Sequence, residues 1–369
     1  MMKRCVRCVI PDTRPDTHFV DGVCSACISY EKRPTIDWDA RKAELVALLD
    51  RHDGRCIVPS SGGKDSHYQV LKLIELGARP VVVTATTCML TDVGRRNLTN
   101  LARYAPTIEI TPNRTVRAKL NRLGLTMVGD ISWPEHVAIF SIPFQVACNM
   151  GIPLLFYGEN PQAQYGGPPG SDEARQLTRR WRSEFGGFLG LRPADFIGIE
   201  GITTQDMAIY EFPSDDDIAG VGVEAHFLGQ YLPWDSHENA RVACEAGMQC
   251  GNTPTGQWPF ENLDNAMTGL HDHGMYRKFG FGRLAAQVAV DIRSGRLTRE
   301  DGLRIVADLD GAFPWLYLGV QLGTVADQIG MSVGEIIKTL DKFTDWSLFH
   351  GVTDGRPIIK QAPYEGSTI

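Results

Sequence analysis

Apolar positions along the chain follow two periodicities. Over residues 38–52 they recur at helical spacing, with Ala40, Leu45, Val46, Leu48 and Leu49 on one stripe, which predicts a helix. Beyond it, short apolar runs alternate with amphipathic stretches. Residues 55–60, 80–86, 107–111 and 153–157 read as short buried strands. Between them the pattern predicts helices over 65–77, 92–104 and 114–123, the last stopped by Gly124. A further helix is expected within 134–150, bent or interrupted at Pro143. Strands alternating with helices imply an α/β chain, a doubly wound parallel sheet covered on both faces. In such sheets ligands bind beyond the carboxyl ends of the strands.

The flanks differ. Residues 1–35 are loop-like and cysteine-patterned, and 36–165 carry the α/β alternation. Residues 166–369 are rich in Gly, Pro and Trp at first and mainly helical later, with helices expected over 282–294, 299–308 and 332–342. The irregular start of this last region is expected to form loops over the active site, since long structureless stretches in compact proteins are usually functional.

One string stands at the right place to carry chemistry. Ser61-Gly62-Gly63-Lys64-Asp65-Ser66 falls between a strand and a helix. Glycines let the backbone turn tightly and aim N–H groups at an anion, and the helix behind adds free donors and the positive end of its dipole. Ser61 and Ser66 offer hydroxyls, Lys64 adds charge, and Asp65 is the candidate holder of the Mg²⁺ that accompanies ATP. Thr84, on the 80–86 strand, is a further nucleotide-binding candidate. The spacing is neither that of a Walker A loop nor that of the dinucleotide fingerprint. The string resembles the PP-loop of ATP pyrophosphatases, the group containing GMP synthetase, asparagine synthetase and the tRNA-lysidine and thiolation enzymes. Those enzymes cleave ATP between its α and β phosphates. The competing reading is a plain Ser/Gly connection between strand and helix.

Cysteine usage adds a second element. Cys5-x2-Cys8 and Cys24-x2-Cys27 are fifteen residues apart, the spacing of a four-thiolate zinc site. Four thiolates close the shell of Zn²⁺, so the ion is expected to be structural, standing in for a core that so short a module cannot build. An iron–sulfur cluster or a redox pair is the alternative. The remaining five of nine cysteines lack such spacing; Cys56 and Cys148 are expected in the core, and Cys244 and Cys250 flank Gly247. Dilute, patterned thiols point to a reducing, cytoplasmic setting. The N-terminus has no apolar signal region and no run is long enough to span a membrane. A net charge of -7 argues against nucleic acid as a partner.

Downstream, Tyr157-Gly158-Glu159-Asn160-Pro161 follows directly on a predicted strand, which sets Glu159 and Asn160 at the carboxyl edge of the sheet as candidates to hold Mg²⁺, the nucleotide or an activated amide oxygen. A turn with Asn and Pro in their usual roles is the competing reading. The segments YGENPQAQYGG (157–167), YLPWDSHENA (231–240), HDHGMYRKFGFGR (271–283) and DIRSGRLTRED (291–301), with the amino-terminal cysteines, together resemble the N-acetyl sugar amidotransferases, PP-loop enzymes of bacterial surface-polysaccharide and flagellin-glycan pathways. Gln164 departs from the acidic residue expected there in relatives, and His273-Gly274-Met275 from a longer aromatic or aliphatic stretch. The resemblance implies conversion of a sugar acetamido group into an acetamidino group; a nucleotide-linked sugar is the expected substrate, with a free sugar the alternative. It also implies ammonia delivered by a separate glutaminase and cyclase-like pair, and no glutaminase half is visible in this chain.

On that reading Asp65, Glu159, Asn160 and Lys278 are the catalytic candidates. Lys278 and Arg283 would clamp pyrophosphate, and Arg293, Arg296 and Arg299 would hold the diphosphate of the sugar, guanidinium forks being suited to phosphate. A solvated helix-face charge is the bland reading of each arginine. His271-Asp272-His273 and Asp215-Asp216-Asp217 are weak metal candidates, because adjacent residues of regular elements point apart and adjacent acids commonly form solvated faces. The rivals to the amidotransferase reading are a tRNA-thiolation or lysidine-type enzyme and a non-catalytic assembly subunit.

Overall fold

The computed structural model describes residues 2–251 and 258–360. A two-stranded hairpin, β1 (Phe19–Val20) and β2 (Val23–Cys24), leads into α1 (Ser25–Glu31) and then α2 (Trp38–Asp50), whose first turn is capped by the Asp37 carboxylate accepting from the Ala40 N–H. The alternation expected from the sequence follows: β3 (Arg55–Pro59), α3 (Lys64–Glu75), β4 (Arg79–Ala85), α4 (Asp92–Leu101), β5 (Thr107–Ile110), α5 (Arg114–Val128), α6 (Trp133–Met150), β6 (Leu154–Tyr157) and the short α7 (Pro161–Tyr165). Three further short helices, α8 (Arg179–Phe185), α9 (Thr204–Met207) and α10 (Asp215–Val221), precede β7 (Glu224–Phe227) and α11 (Ser236–Glu245). The remainder is α12 (Thr268–Phe279), α13 (Arg283–Arg293), α14 (Arg299–Leu309), the hairpin β8 (Leu316–Tyr317) and β9 (Val320–Gln321), α15 (Leu322–Ile329), α16 (Val333–Lys342), and the hairpin β10 (Phe349–Thr353) and β11 (Arg356–Ile359).

The central sheet has the order β5-β4-β3-β6-β7 and is parallel throughout. Successive residues of a strand serve opposite faces. Ile57 and Leu155 therefore join Trp133, Val137 and Ile142 of α6 on one side, while Val58 and Phe156 join Leu45 and Leu48 of α2 and Val70 and Leu73 of α3 on the other. The chain builds outward from β3 through β4 to β5, then returns to place β6 on the other side of β3. That reversal opens a crevice at the carboxyl ends of β3 and β6, where such sheets bind ligands.

All four expected strands are present. β7 is not legible in the sequence, because Glu-Ala-His-Phe is short and carries no long apolar run; it pairs with β6 at the edge. Two helix expectations are corrected. Gly124 does not stop α5, which continues to Val128 and ends at the left-handed Gly129. A side chain at Gly124 would stand 2.6 Å from the Asp130 carbonyl oxygen and 2.8 Å from Trp133 Cβ, so this glycine allows close approach of the α5–α6 turn. Pro143 does not interrupt α6, which runs unbroken through it. Proline leaves the carbonyl four residues earlier without its helical donor. That carbonyl belongs to Ile139, and the Tyr157 hydroxyl donates to it at 3.4 Å.

The Gly124→Ala substitution tests the packing role. Helix propensity alone would favour alanine by about 1 kcal/mol. The close approach instead predicts a loss of about 1–3 kcal/mol from overpacking, read as a lower urea midpoint at unchanged slope. A raised midpoint would show that the turn relaxes freely.

Candidate functional site

The turn between β3 and α3 is built by its own side chains. The Ser60 N–H donates to the Val83 carbonyl, which ends the β3–β4 pairing. The Gly62 N–H donates to Ser60 Oγ at 3.0 Å and the Ser61 N–H to Ser66 Oγ at 3.3 Å. Gly62 has φ +80°, and a side chain there would meet the Leu98 backbone nitrogen at 3.0 Å, so the position is held for glycine twice over. No side chain among the described residues caps α3. The N–H groups of its first turn therefore have no partner within the helix. Behind the turn, buried His67 donates from Nδ1 to the Gly63 carbonyl and accepts at Nε2 from Asn100 Nδ2, both at 3.1 Å. Burial lowers its pKa and keeps the ring neutral in this role.

Ser61, Gly62, Gly63, Lys64 and Asp65 line one wall of a cavity of about 90 Å³, facing residues 260–264. The opposite wall is fixed to α4, where the Thr91 N–H donates to the Asp264 carbonyl at 3.0 Å. Lys64 is only 7% exposed. Its Nζ lies 2.6 Å from Asp65 Oδ2 and 3.0 Å from Glu261 Oε1. Burial alone would lower the Lys64 pKa, but the two carboxylates overcome it and hold the ammonium well above its ordinary value. Asn239 on α11 donates to Asp65 Oδ1 at 2.8 Å, fixing the carboxylate.

Glu159 lies past the end of β6, half-buried, with the Tyr165 hydroxyl donating to its Oε1 at 3.4 Å. Burial, and then the charge of Asp65, push it up to about 7 against the pull of Lys64. The sequence brought Asp65, Lys64 and Glu159 to one place. It did not reveal Glu261, Asn239 or Tyr165, which stand in stretches without periodicity or beside glycine turns. Asn160 uses its amide on backbone: Oδ1 caps α7 at Gln162, and Nδ2 donates to the carbonyls of Ser171 and Ala174 at 2.8 and 3.1 Å. It positions the turn after Glu159. Thr84 is 1% exposed and its hydroxyl has no partner among the described residues. Glu159 and Asn160 also border a larger cavity of about 620 Å³, with Arg33, Arg41, Arg175, Gln164 and Trp234 on its walls.

The expected cation clamp is dispersed. Lys278 donates from Nζ to the Val128 carbonyl at 2.6 Å and stands over the Phe343 ring, so its contacts lie with α5 and the end of α16 and not with the loop. Arg283 is held at 3.0 and 3.1 Å by both oxygens of Asp272. Arg293 donates to the Gln164 carbonyl, Arg296 pairs with Asp235 and Asp291, and Arg299 donates to the carbonyls of Cys5 and Cys8. These last three brace the fold. The acidic run Asp215–Asp217 opens α10, with Asp215 reaching Arg179 and Arg182, which is the bland reading of that string. His271 and His273 point apart as expected of neighbours on a helix. His273 meets the Gly311 carbonyl and Arg277, and His271 turns to Asp130 at 2.8 Å.

The four N-terminal thiols converge. Every pair of sulfurs lies within 4.8 Å, with Cys5–Cys27 at 3.9 Å and Cys8–Cys24 at 3.6 Å. Zn–S bonds of about 2.3 Å in a tetrahedron set sulfurs about 3.8 Å apart, so the cluster fits one such ion. The N–H groups of Arg7 and Cys24 point at Cys5 Sγ. The module is not free-standing: its cysteines share a core with Phe281, Leu284, Val288 and Val306 of the α13–α14 region, and Ser25 exchanges hydrogen bonds with Gly167 just past α7. Among the other thiols, burial pushes Cys56 and Cys244 up to about 12 and Cys88 up to about 11. None of these three is activated for sulfur transfer.

Residues 257–353 match the family model described as LPS biosynthesis protein WbpG-like, C-terminal domain. No curated protein matches the chain. The match supports a place in lipopolysaccharide or sugar biosynthesis, and it covers the segment that delivers Glu261 to Lys64. No helix among the described residues is long and apolar enough to cross a membrane.

Two measurements check this geometry. Replacing Cys24 with Ser is expected to release about one zinc per chain and lower Tm by several degrees, because metal binding and folding of such a module are one equilibrium; unchanged metal content would refute the site. Glu159 ionises near its ordinary 4.5 when unfolded but near 7 when folded. The native state therefore binds the extra proton between those values and loses stability as pH rises through that window, with no further loss above it. Glu159→Gln is expected to remove this slope, gaining on the order of 1 kcal/mol over the wild type at pH 8 relative to pH 4.5. Parallel stability curves would show that Glu159 is not held protonated.

Proposed function

We propose that this chain is a PP-loop ATP pyrophosphatase acting as an amidotransferase, which converts the acetamido group of a nucleotide-linked amino sugar into an acetamidino group. The reading rests above all on one observation. The uncapped Ser/Gly turn, the buried Lys64 and the raised Glu159 meet at the reversal point of a parallel sheet. The family match over 257–353 supports the sugar-pathway part of the reading.

An amide oxygen is a poor leaving group. In the proposed reaction the acetamido oxygen attacks the α-phosphorus of ATP, forming an O-adenylyl imidate and releasing pyrophosphate. The first-turn N–H groups of α3 and the hydroxyls of Ser61 and Ser66 receive the departing charge. Ammonia then adds to the imidate carbon, the nitrogen loses a proton, and the C–O bond breaks to release AMP and leave C=N. Glu159, poised near neutrality, is suited to accept that proton. Asp65, its carboxylate fixed by Asn239, is the residue that would hold Mg²⁺, whose contribution is to neutralise phosphate charge. The cavity of about 620 Å³ bordered by Glu159, lined by Arg33, Arg41 and Arg175 together with Asp37, Glu44, Asp172 and Glu173, has the size and polarity for the sugar moiety. Ammonia would come from a separate glutaminase and cyclase-like pair, in the cytoplasm. The raised thiols weigh against a thiolation enzyme.

The test combines the protein, Mg-ATP and ammonium with free and nucleotide-linked N-acetylated amino sugars, quantifying AMP and weighing the sugars by mass spectrometry. Sugar-dependent AMP with oxygen replaced by NH is expected, and Asp65→Asn should lower it at least about 100-fold. AMP that appears only with tRNA would replace this reading with the tRNA-modifying one. No AMP with any acceptor would point to an assembly subunit.

A further inference from the structure

Outside the loop and the thiol cluster, one group of side chains is arranged as ligands. Asp130 follows the left-handed Gly129 at the end of α5, and its carboxylate is aimed by the Ser132 N–H, which donates to Oδ1 at 2.8 Å. His136 stands on the first turn of α6 and His271 on the first turn of α12, 135 residues later in the chain. The two rings meet edge to face at 4.7 Å, and both present Nδ1 to the same carboxylate, at 2.8 Å from His271 and 3.5 Å from His136.

We propose that Asp130, His136 and His271 form a second metal site, for a divalent transition ion of the zinc class. One carboxylate oxygen and two imidazole nitrogens are the donor set of such ions, whereas Mg²⁺ and Ca²⁺ take oxygens. Ligands about 2.1 Å from a tetrahedral ion lie about 3.4 Å apart. The ligand atoms here lie within 4.8 Å of one another, with His271 Nδ1 2.8 Å from Asp130 Oδ1 and His136 Nδ1 3.5 Å from Oδ2. Beyond the ligands, Asp272 Oδ1 lies 3.9 Å from His271 Nε2, longer than a hydrogen bond, and is itself anchored by Arg283. The site differs from the thiol cluster in kind. Three protein ligands leave one position open for water or an oxygen of a bound ligand, and the His136 side chain is 31% exposed.

The proposal does not depend on the reaction proposed above, and its test needs no turnover. The full chain, freed of metal and kept reduced, is titrated with Co²⁺ and followed by visible absorption. The four cysteines give thiolate-to-cobalt charge transfer; the second site gives ligand-field bands alone. The wild type is expected to take up about two ions per chain, the second without added charge transfer, and to retain about two zinc ions after zinc loading and dialysis. His136→Gln with His271→Gln should keep the thiolate spectrum and lose only the second ion, its affinity falling at least about tenfold. Saturation of the wild type at one thiolate-bound ion overturns the proposal whether or not the variant folds. A second ion that survives the double substitution overturns the assignment to these residues.

Discussion

A buried ammonium must be paired, and in this protein the pairing of Lys64 decides what surrounds the loop. Taking a lysine out of water costs several kcal/mol unless opposite charge meets it closely. The neighbouring Asp65 supplies one partner, but the second, Glu261, comes from nearly two hundred residues away, and Asp65 is itself fixed by Asn239 on α11. The carboxyl-terminal half is thereby fastened to a turn encoded in the amino-terminal half. Burial first, and then the charge of Asp65 beside it, raise the pKa of Glu159, against the pull of the Lys64 ammonium. Acid, base and anion-binding turn thus arise from one electrostatic problem and its solution.

What the sequence made legible was local. Strand-turn-helix around Ser61–Ser66, the strand before Glu159 and the CxxC pairs each rest on contacts between near neighbours, and each appears where periodicity and spacing set it. What escaped depends on distant parts of the chain. Gly124 reads as a stop until Trp133 and the Asp130 carbonyl are seen packed against it. Pro143 reads as a break until Tyr157 is seen taking up the carbonyl it leaves free. Glu261 carries no sequence signal because its role is defined wholly by the lysine it reaches. The string left Arg293, Arg296 and Arg299 open between phosphate ligands and helix-face charges; in the fold Arg293 donates to the Gln164 carbonyl, Arg296 pairs with Asp235, and Arg299 donates to the Cys5 carbonyl.

The cation assignments show how one pattern can carry different burdens. Lys278 and Arg283 lie five residues apart, but α12 ends at Gly280 between them and sends them to different neighbours. Arg283 meets Asp272, while Lys278 lies against the α5 carboxyl end. Lys64, by contrast, pairs with Asp65 beside it and with Glu261 from a segment that looks unrelated in the sequence. Electrostatic coupling in this region follows the sheet reversal, and not proximity along the chain.

The thiol cluster's cover has a consequence for how the molecule is made. Cys5 and Cys8 precede the helices that bury them, and the Arg299 guanidinium that takes up their carbonyls, by nearly three hundred residues. A nascent chain would carry an exposed knuckle until those helices are made. Contacts of such long sequence separation form slowly. The amino-terminal ligands must therefore capture their ion early or remain open to oxidation throughout synthesis, and the supply of metal to the growing chain becomes part of its assembly.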